Sequence, residues 1–461
     1  MDFESLKNTI LWGALSNFGK MIFQPNGIFY WAGRAKKEAD VIGTIGSIVG
    51  IEDELVNNAN NNKVTYYIPA IRDYIDKDPA NIVPYAPISG LPTLREHWKN
   101  WIVEKGKQAK NLPSGSIDVS GKLSLPAVTP GITNGIFLTT RLFLDPKESI
   151  ISPNKRWGNY DSIITRQCGV NIDSFEVFTE EMKFNLSSME DKIRDHINSQ
   201  GRAVMILNFP NNPTGYVPKK DEAANIVKKL ETIANDLRKP ISVISDDAYE
   251  GYVYNNTGIT ASLFYELVNK NEYIIPVKLD GASKEMLMYG GRIGFVTLGL
   301  NEKWFKSSEK EKVLEEFENK IQGIIRSTVS NSNRIIQSIL IQMFESGIEK
   351  IIESRKKIIE IVGERYKILN DELAKLSAEN TAISVDPNSG GFFLLINLDP
   401  KVEATDFNEH LLKNYKTGLI PIVKPKDGIN ALRVAYSSIP KEQLPILVDN
   451  IKKSLSDLNL G

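Results

Sequence analysis

The chain has 461 residues, with 56 Lys and Arg against 57 Asp and Glu for a formal net charge of −1, so it is long enough for two or three domains and its charge balance implies no nucleic-acid or anionic-membrane partner. A hydrophobic share of 41 % with 25 % charged residues excludes collagen-like, disordered and membrane-embedded compositions. Cys168 is the single cysteine, which rules out an intramolecular disulfide and a cysteine-based zinc site and makes a reducing, cytoplasmic location the expectation.

The opening stretch is apolar in places, but Asp2 and Glu4 stand where a secretory signal is basic. Asn17, Lys20, Gln24, Pro25 and Asn26 then interrupt the run before the roughly 20 residues a bilayer needs. An arm that packs on another surface is expected, with no export or membrane role. GALSNFGK at 13–20 has five residues between its glycines and Met21 in place of the hydroxyl residue, so it is not a phosphate loop. The glycines at 43, 46 and 50 do not form a dinucleotide fingerprint, and the asparagine-rich 57–62 reads as a loop tip. His97, His196 and His410 are scattered without metal-ligand spacing, and no metal is expected.

Short apolar runs at 149–151, 203–208, 241–245, 273–279 and 294–298 read as strands. Amphipathic segments such as 220–237, with Ala223, Ala224, Ile226, Val227 and Leu230 on one face, read as the helices between them. This is the alternation of an α/β domain with a mostly parallel sheet. Long charged helices follow at 309–326 and 348–375, then strand-like runs at 391–397 and 431–436, the texture of a smaller α+β domain.

Four stretches fall at the ends of these strands: Asn208 to Gly215 (NFPNNPTG), Asp246 to Tyr249 (DDAY), Ser283-Lys284 followed by Arg292, and Arg433 within ALRVA. Each alone has an ordinary explanation: a turn, a cap, a solvated lysine, half of a surface ion pair. Their joint occurrence in this order does not, because ligands of open α/β sheets bind beyond the carboxyl ends of the strands.

Together these stretches resemble the pyridoxal-phosphate aminotransferases of fold type I, most closely the aspartate/aromatic aminotransferase family. The resemblance runs from about Val41 to Ala435 and extends to Tyr85-Ala-Pro-Ile-Ser-Gly90-Leu, Pro130-Gly131-Ile132-Thr133, Trp157-Gly158-Asn159 and Ile325-Arg326-Ser-Thr-Val-Ser330-Asn331. It implies a seven-stranded-type, mostly parallel sheet in a large cofactor-binding domain at 61–340. Residues 1–60 would form an N-terminal arm and part of the small domain, and 341–461 the rest of that domain.

The resemblance also implies pyridoxal 5′-phosphate as cofactor and amino acids and 2-oxo acids as substrates, glutamate/2-oxoglutarate with aspartate or aromatic partners. In that scheme Lys284 bonds reversibly to the cofactor aldehyde and moves the substrate α-proton, Asp246 keeps the ring nitrogen protonated, and Asn212 and Tyr249 serve the phenolic oxygen. Trp157 stacks on the ring, while Arg292, Ser283, Gly131, Ile132 and Thr133 hold the phosphate. The family's serine three positions before the lysine is Gly281 here, which places one phosphate contact in question. Asp247 receives no chemistry. Arg433, with Gly46, matches the α-carboxylate site, to which Trp157 and Asn212 also contribute. Arg326 matches the side-chain carboxylate binder supplied by the other subunit, and Tyr85 also serves the neighbour's site, which implies a homodimer. Elimination or β-decarboxylation on the same scaffold is the alternative, because fold and cofactor do not dictate which bond breaks. The segment 105–128 is left without a role.

Overall fold

Runs such as AVMILN and ISVISD, buried at every position, belong to strands covered on both faces, and that is how the molecule uses them. The computed structural model describes residues 27–50, 64–68 and 82–460, with the isolated residues 7, 12, 15, 18 and 20. Most of the expected N-terminal arm, the segment 13–20 read against a phosphate loop and the 57–62 loop tip therefore lie outside the described residues.

The main sheet has seven strands: β1 (Ala127–Thr129), β2 (Ser149–Pro153), β3 (Asn171–Phe175), β4 (Ala203–Asn208), β5 (Ile241–Asp246), β6 (Ile274–Gly281) and β7 (Gly294–Leu298), in the order β1-β7-β6-β5-β4-β2-β3. All neighbours run parallel except β7, which is antiparallel to both β1 and β6. The mostly parallel sheet expected from the sequence is thus present with one reversed strand.

Side-chain alternation splits the core between the two faces. Val204, Ile206, Ile244, Val277 and Leu279 pack on one side with Ile136 and Leu138. Ala203, Met205, Ile241 and Val243 pack on the other with Ile226, Leu230 and Ile233. In chain order, helix α1 is Ile28–Glu38, α2 Pro92–Gln108, α3 Ile132–Phe143, α4 Leu186–Gln200 and α5 Lys220–Leu237. The expected bounds of α5 hold: Glu222 accepts the Lys219 N–H at 2.9 Å to start it, and Arg238, at φ 49°, ends it.

The C-terminal part carries the four-residue α6 (Ala282–Glu285), then α7 (Lys310–Thr328), α8 (Arg334–Glu345), α9 (Ile348–Glu379), α10 (Ala404–Tyr415) and α11 (Leu444–Asp457). A second sheet of β8 (Ile383–Val385), β9 (Leu394–Leu398), β10 (Ile420–Lys424) and β11 (Ile429–Val434) is ordered β8-β9-β11-β10 and wholly antiparallel. Val41 and Ile42 pair with Thr417 and Gly418, and Ala435 donates its N–H to Gly43, so the 41–50 segment is attached to this C-terminal layer. Among the described residues no helix is long and apolar enough to cross a membrane.

Candidate active site

The carboxyl ends of β4, β5 and β6 lie side by side, with Asn208 the register partner of Asp246 and Asp246 that of Leu279. The chain leaves those ends through the Asn212 turn, the Asp247–Tyr249 turn and α6. The start of α3 and Arg292 close the space from the β1 and β7 side. The result is a cleft of about 490 Å³ of atom-free space lined by Ile132, Thr133, Trp157, Asn212, Asp246, Tyr249, Ser283, Lys284 and Arg292, all singled out from the sequence, together with Asn208 and Ala248.

One end of the cleft is built for an anion. Helix α3 leaves its first N–H groups without intrahelical acceptors. Gly131, at φ 78°, precedes it, and a Cβ there would come within 2.5 Å of Arg292 Nη2, so only glycine lets the guanidinium lie against the helix start. Arg292 Nη1 donates to the Tyr289 carbonyl at 3.0 Å and lies 3.4 Å from Ser283 Oγ. Among the described residues no carboxylate pairs with it.

The other end holds Asp246, 4 % exposed. Tyr160 donates its O–H to Asp246 Oδ2 at 2.5 Å and the Ala248 N–H reaches Oδ1 at 3.3 Å. Asn208 ties the end together: its Nδ2 donates to the Asp246 carbonyl at 2.7 Å and its Oδ1 accepts the Asn212 N–H at 2.8 Å. Burial pushes the Asp246 carboxyl up, while the Tyr160 bond, the Ala248 N–H and the Lys284 charge favour the anion. A cationic ring nitrogen beside it would supply the counter-charge that burial otherwise withholds.

Lys284, half-buried on α6, places Nζ 6.0 Å from the Tyr249 ring centre and 5.8 Å from that of Tyr289. Burial lowers its pKa to about 8, helped by Arg292 and opposed by Asp246. A lysine so tuned has a sizeable unprotonated fraction near neutrality, as an amine nucleophile requires.

Arg433, on β11, is 3 % exposed. Its Nη1 donates to Asn212 Oδ1 at 3.2 Å and its Nη2 to the Thr44 carbonyl at 2.8 Å, and the guanidinium lies 4.3 Å from the Phe393 ring centre. Its Nε is buried without a hydrogen-bond partner among the described residues, and burial lowers its pKa to about 10. Among the described residues no carboxylate faces it, and a buried cation so placed suits an anionic ligand. Gly46 belongs to the same corner: a Cβ there would sit 2.3 Å from Phe393 Cζ.

Gly281 has a local cause, since a Cβ at that position would meet the Ile293 carbonyl oxygen at 2.7 Å and Gly294 Cα at 2.8 Å. Ser283, two residues on, is the hydroxyl that stands beside Arg292. Two expected residues are not in this chain's cleft. Tyr85 is 88 % exposed, and Arg326 is exposed on α7, where it bonds Ser330. The two belong to one surface region, because Asn331 Nδ2 donates to the Ala86 carbonyl at 2.7 Å and Arg334 Nη1 to that of Tyr85 at 3.3 Å. Sequence reasoning missed Tyr160, Asn208, Tyr289 and Phe393. Asn208 lay inside a quoted motif, and Tyr160 lies three residues beyond Trp157, a spacing that brought the rings edge to face at 5.8 Å.

Residues 56–451 match the family described as aminotransferase class I and II. The chain is 24 % identical over 379 residues to a probable aspartate/prephenate aminotransferase of Aquifex aeolicus, covering 81 % of this chain and 84 % of that one. It is 24 % identical over 395 residues to aromatic-amino-acid aminotransferase 2 of Thermococcus litoralis, covering 84 % and 87 %. An aminotransferase structure from Anaerococcus prevotii superposes with a TM-score of 0.75 at 24 % identity over 95 % of this chain and 98 % of that one. The Pyrococcus horikoshii kynurenine aminotransferase does so with a TM-score of 0.75 at 15 % identity over 99 % of both. These relatives are named for amino transfer, so elimination or decarboxylation is not the favoured reaction. The chain belongs to the class I and II aminotransferases, enzymes of fold type I that move amino groups with pyridoxal 5′-phosphate.

Proposed function

We propose that this aminotransferase works between glutamate/2-oxoglutarate and an aspartate or aromatic partner, with Lys284, Asp246 and Tyr249 as its catalytic residues. When bound, pyridoxal 5′-phosphate supplies an aldehyde that bonds amines and a protonated ring that accepts electrons from the substrate α-carbon. Arg292, Ser283 and the helix start at Gly131, Ile132 and Thr133 would hold its phosphate. Trp157 would cover the ring face, and Asn212 and Tyr249 would donate to its phenolic oxygen. Asp246 would keep the proton on the ring nitrogen, with Tyr160 fixing the carboxylate's direction. Lys284 Nζ would be the amine that holds the cofactor's aldehyde and the base that takes up and returns the substrate α-proton.

Arg433 would fork onto the substrate α-carboxylate, with Asn212, Trp157 and the Gly46 main chain around it, and so set the angle of the Cα–H bond. Arg326 and Tyr85 are exposed and do not line this cleft, so a part for them in a site calls for a second copy. A two-fold homodimer in which each chain completes the other's site is the reading they support. We assign a large domain at 61–340 and a small domain formed by 341–461 with part of 1–60, in a cytoplasmic enzyme. The observation that carries the reading is the convergence on one cleft of Arg292, which no carboxylate among the described residues pairs with, the buried Asp246 and Lys284. The test is 2-oxoglutarate formation from glutamate with oxaloacetate or an aryl-pyruvate as acceptor. Turnover with either supports the reading, and release of ammonia or pyruvate without 2-oxoglutarate rejects it.

A further inference from the structure

Two doublets in the site, Asp246-Asp247 and Lys284-Glu285, have one member in the cleft and the other on the opposite side of the chain. Asp247, just past the end of β5, turns away from Tyr160 and meets Lys278 Nζ at 2.5 Å. Glu285 turns away from the cleft and meets Lys105 Nζ at 2.7 Å, while Trp101 Nε1 donates to it at 2.8 Å. Both partners belong to one buried cluster. Lys278 also reaches Glu250 at 2.8 Å, and Lys105 reaches Glu250 at 2.6 Å and Asp280 at 3.3 Å. Lys278 is 0 % exposed and Lys105 10 %.

The Lys105 ammonium is therefore a cross-link. Through Glu250 it holds the turn that follows Asp246, and through Glu285 it holds the short helix that carries Lys284. It arrives on α2, which contributes no residue to the cleft lining. We propose that Lys105 is a positioning residue that sets the separation and direction of Asp246 and Lys284 by bridging their two chain segments from behind. The inference rests on the roles assigned above to those two residues, and it gives a role to Lys105, at the start of the segment the sequence left unassigned, and to Asp247.

Physical considerations favour geometry over stability as the cluster's contribution. Four carboxylates, Asp247, Glu250, Asp280 and Glu285, face two ammonium groups, and the Arg355 guanidinium bonds only the main-chain oxygens of Glu285 and Glu250 there. Burying ions often costs more than packing apolar side chains of the same volume, so such a cluster is a weak stabiliser, and the proposal gives it direction as its contribution. The doublets supply the lever. Asp247 still donates its N–H to the Leu279 carbonyl of β6 at 2.8 Å, so the alternation of strand side chains continues to it and anchoring Asp247 below obliges Asp246 to point above. Main-chain anchors complete the constraint: Tyr252 O–H donates to the Lys284 carbonyl at 2.8 Å.

The test compares Lys105→Met with the parent. In the cofactor-free protein, the pH dependence of Lys284 reductive methylation, followed by mass spectrometry, should have its midpoint at about 8 in the parent. The variant's midpoint should move by about half a unit or more, because the burial of Lys284 and its distances to Arg292 and Asp246, which set that midpoint, are what the bridge fixes. In the loaded enzyme, kcat should fall about tenfold or more with KM for the amino donor unchanged within about twofold, the mark of misplaced catalytic groups. Coincident methylation midpoints together with unchanged kcat would overturn the proposal. If Lys105→Met does not fold, Glu285→Gln is read instead: a loss of kcat at unchanged KM supports the bridge and an unchanged kcat rejects it. A parent that methylates as expected but does not transaminate would overturn the functional reading alone, since the cofactor-free comparison still judges Lys105.

Discussion

Arg433 and Asn212 lie 221 positions apart and share a hydrogen bond of 3.2 Å. That contact joins the C-terminal antiparallel sheet to the turn after β4. Asn212 is in turn tied through Asn208 to the Asp246 main chain, so one chain of bonds runs from the proposed carboxylate-binding arginine to the proposed ring-nitrogen partner. The account predicts that Arg433→Lys lowers kcat/KM for every amino acid tested by about 2–5 kcal/mol, whatever its side chain, because a point charge cannot replace the planar fork. Steady-state kinetics with glutamate and an aromatic amino acid check this, and a loss confined to one of them would contradict it.

Tyr160 is the residue whose hydroxyl bonds the Asp246 carboxylate directly. Tyr160→Phe removes a donor to a charged acceptor, an interaction worth about 1.5–3 kcal/mol, and leaves the buried carboxylate less well held as partner of the ring nitrogen. Cofactor affinity, measured by spectroscopic titration of the cofactor-free protein, should weaken about tenfold or more. An unchanged affinity would remove Tyr160 from the site.

Arg326 has a selective prediction. If it reaches a neighbour's site, Arg326→Leu should cost dicarboxylic substrates about 2–5 kcal/mol in kcat/KM and aromatic ones far less. Equal losses would show that it does not bind the distal carboxylate.

Lys284 carries a stability cost with a definite pH dependence. Its folded pKa, about 8, is below its ordinary 10.5. Between those values the unfolded chain binds more of this proton than the folded one, so stability from this group is present above about pH 10.5, declines as the pH falls, and is fully lost below about 8. At pH 7 the penalty is about 3 kcal/mol. Urea unfolding of the cofactor-free protein at pH 7 should therefore find Lys284→Met more stable than the parent, by up to that amount. A variant no more stable would contradict the depressed pKa.

The helix Lys220–Leu237 and the strand Ala203–Asn208 were legible to the residue because period and burial agree there and nothing long-range competes. Strand β3 escaped notice because NIDSF sits at the sheet edge, only Phe175 of it buried, so its apolar signal is weak. β1 is three residues long and reads as part of a loop. The residues that line the cleft were legible as a group because they stand in short motifs at strand ends. Tyr160 was not, because its bond to Asp246 spans 86 positions. Lys105 and Lys278 look like solvated lysines in sequence, and only the fold shows them buried among carboxylates.

The central claim is that Lys284 holds the cofactor and that the enzyme cycles amino groups. The most direct measurement is the visible absorption of the cofactor-loaded protein before and after glutamate, then after 2-oxoglutarate, in the parent and in Lys284→Ala. The account predicts a yellow parent that bleaches with glutamate and recovers with 2-oxoglutarate, and a variant that binds cofactor without covalent attachment and does not cycle. A parent that fails to bleach, or a Lys284→Ala variant that sustains repeated turnovers, would contradict it.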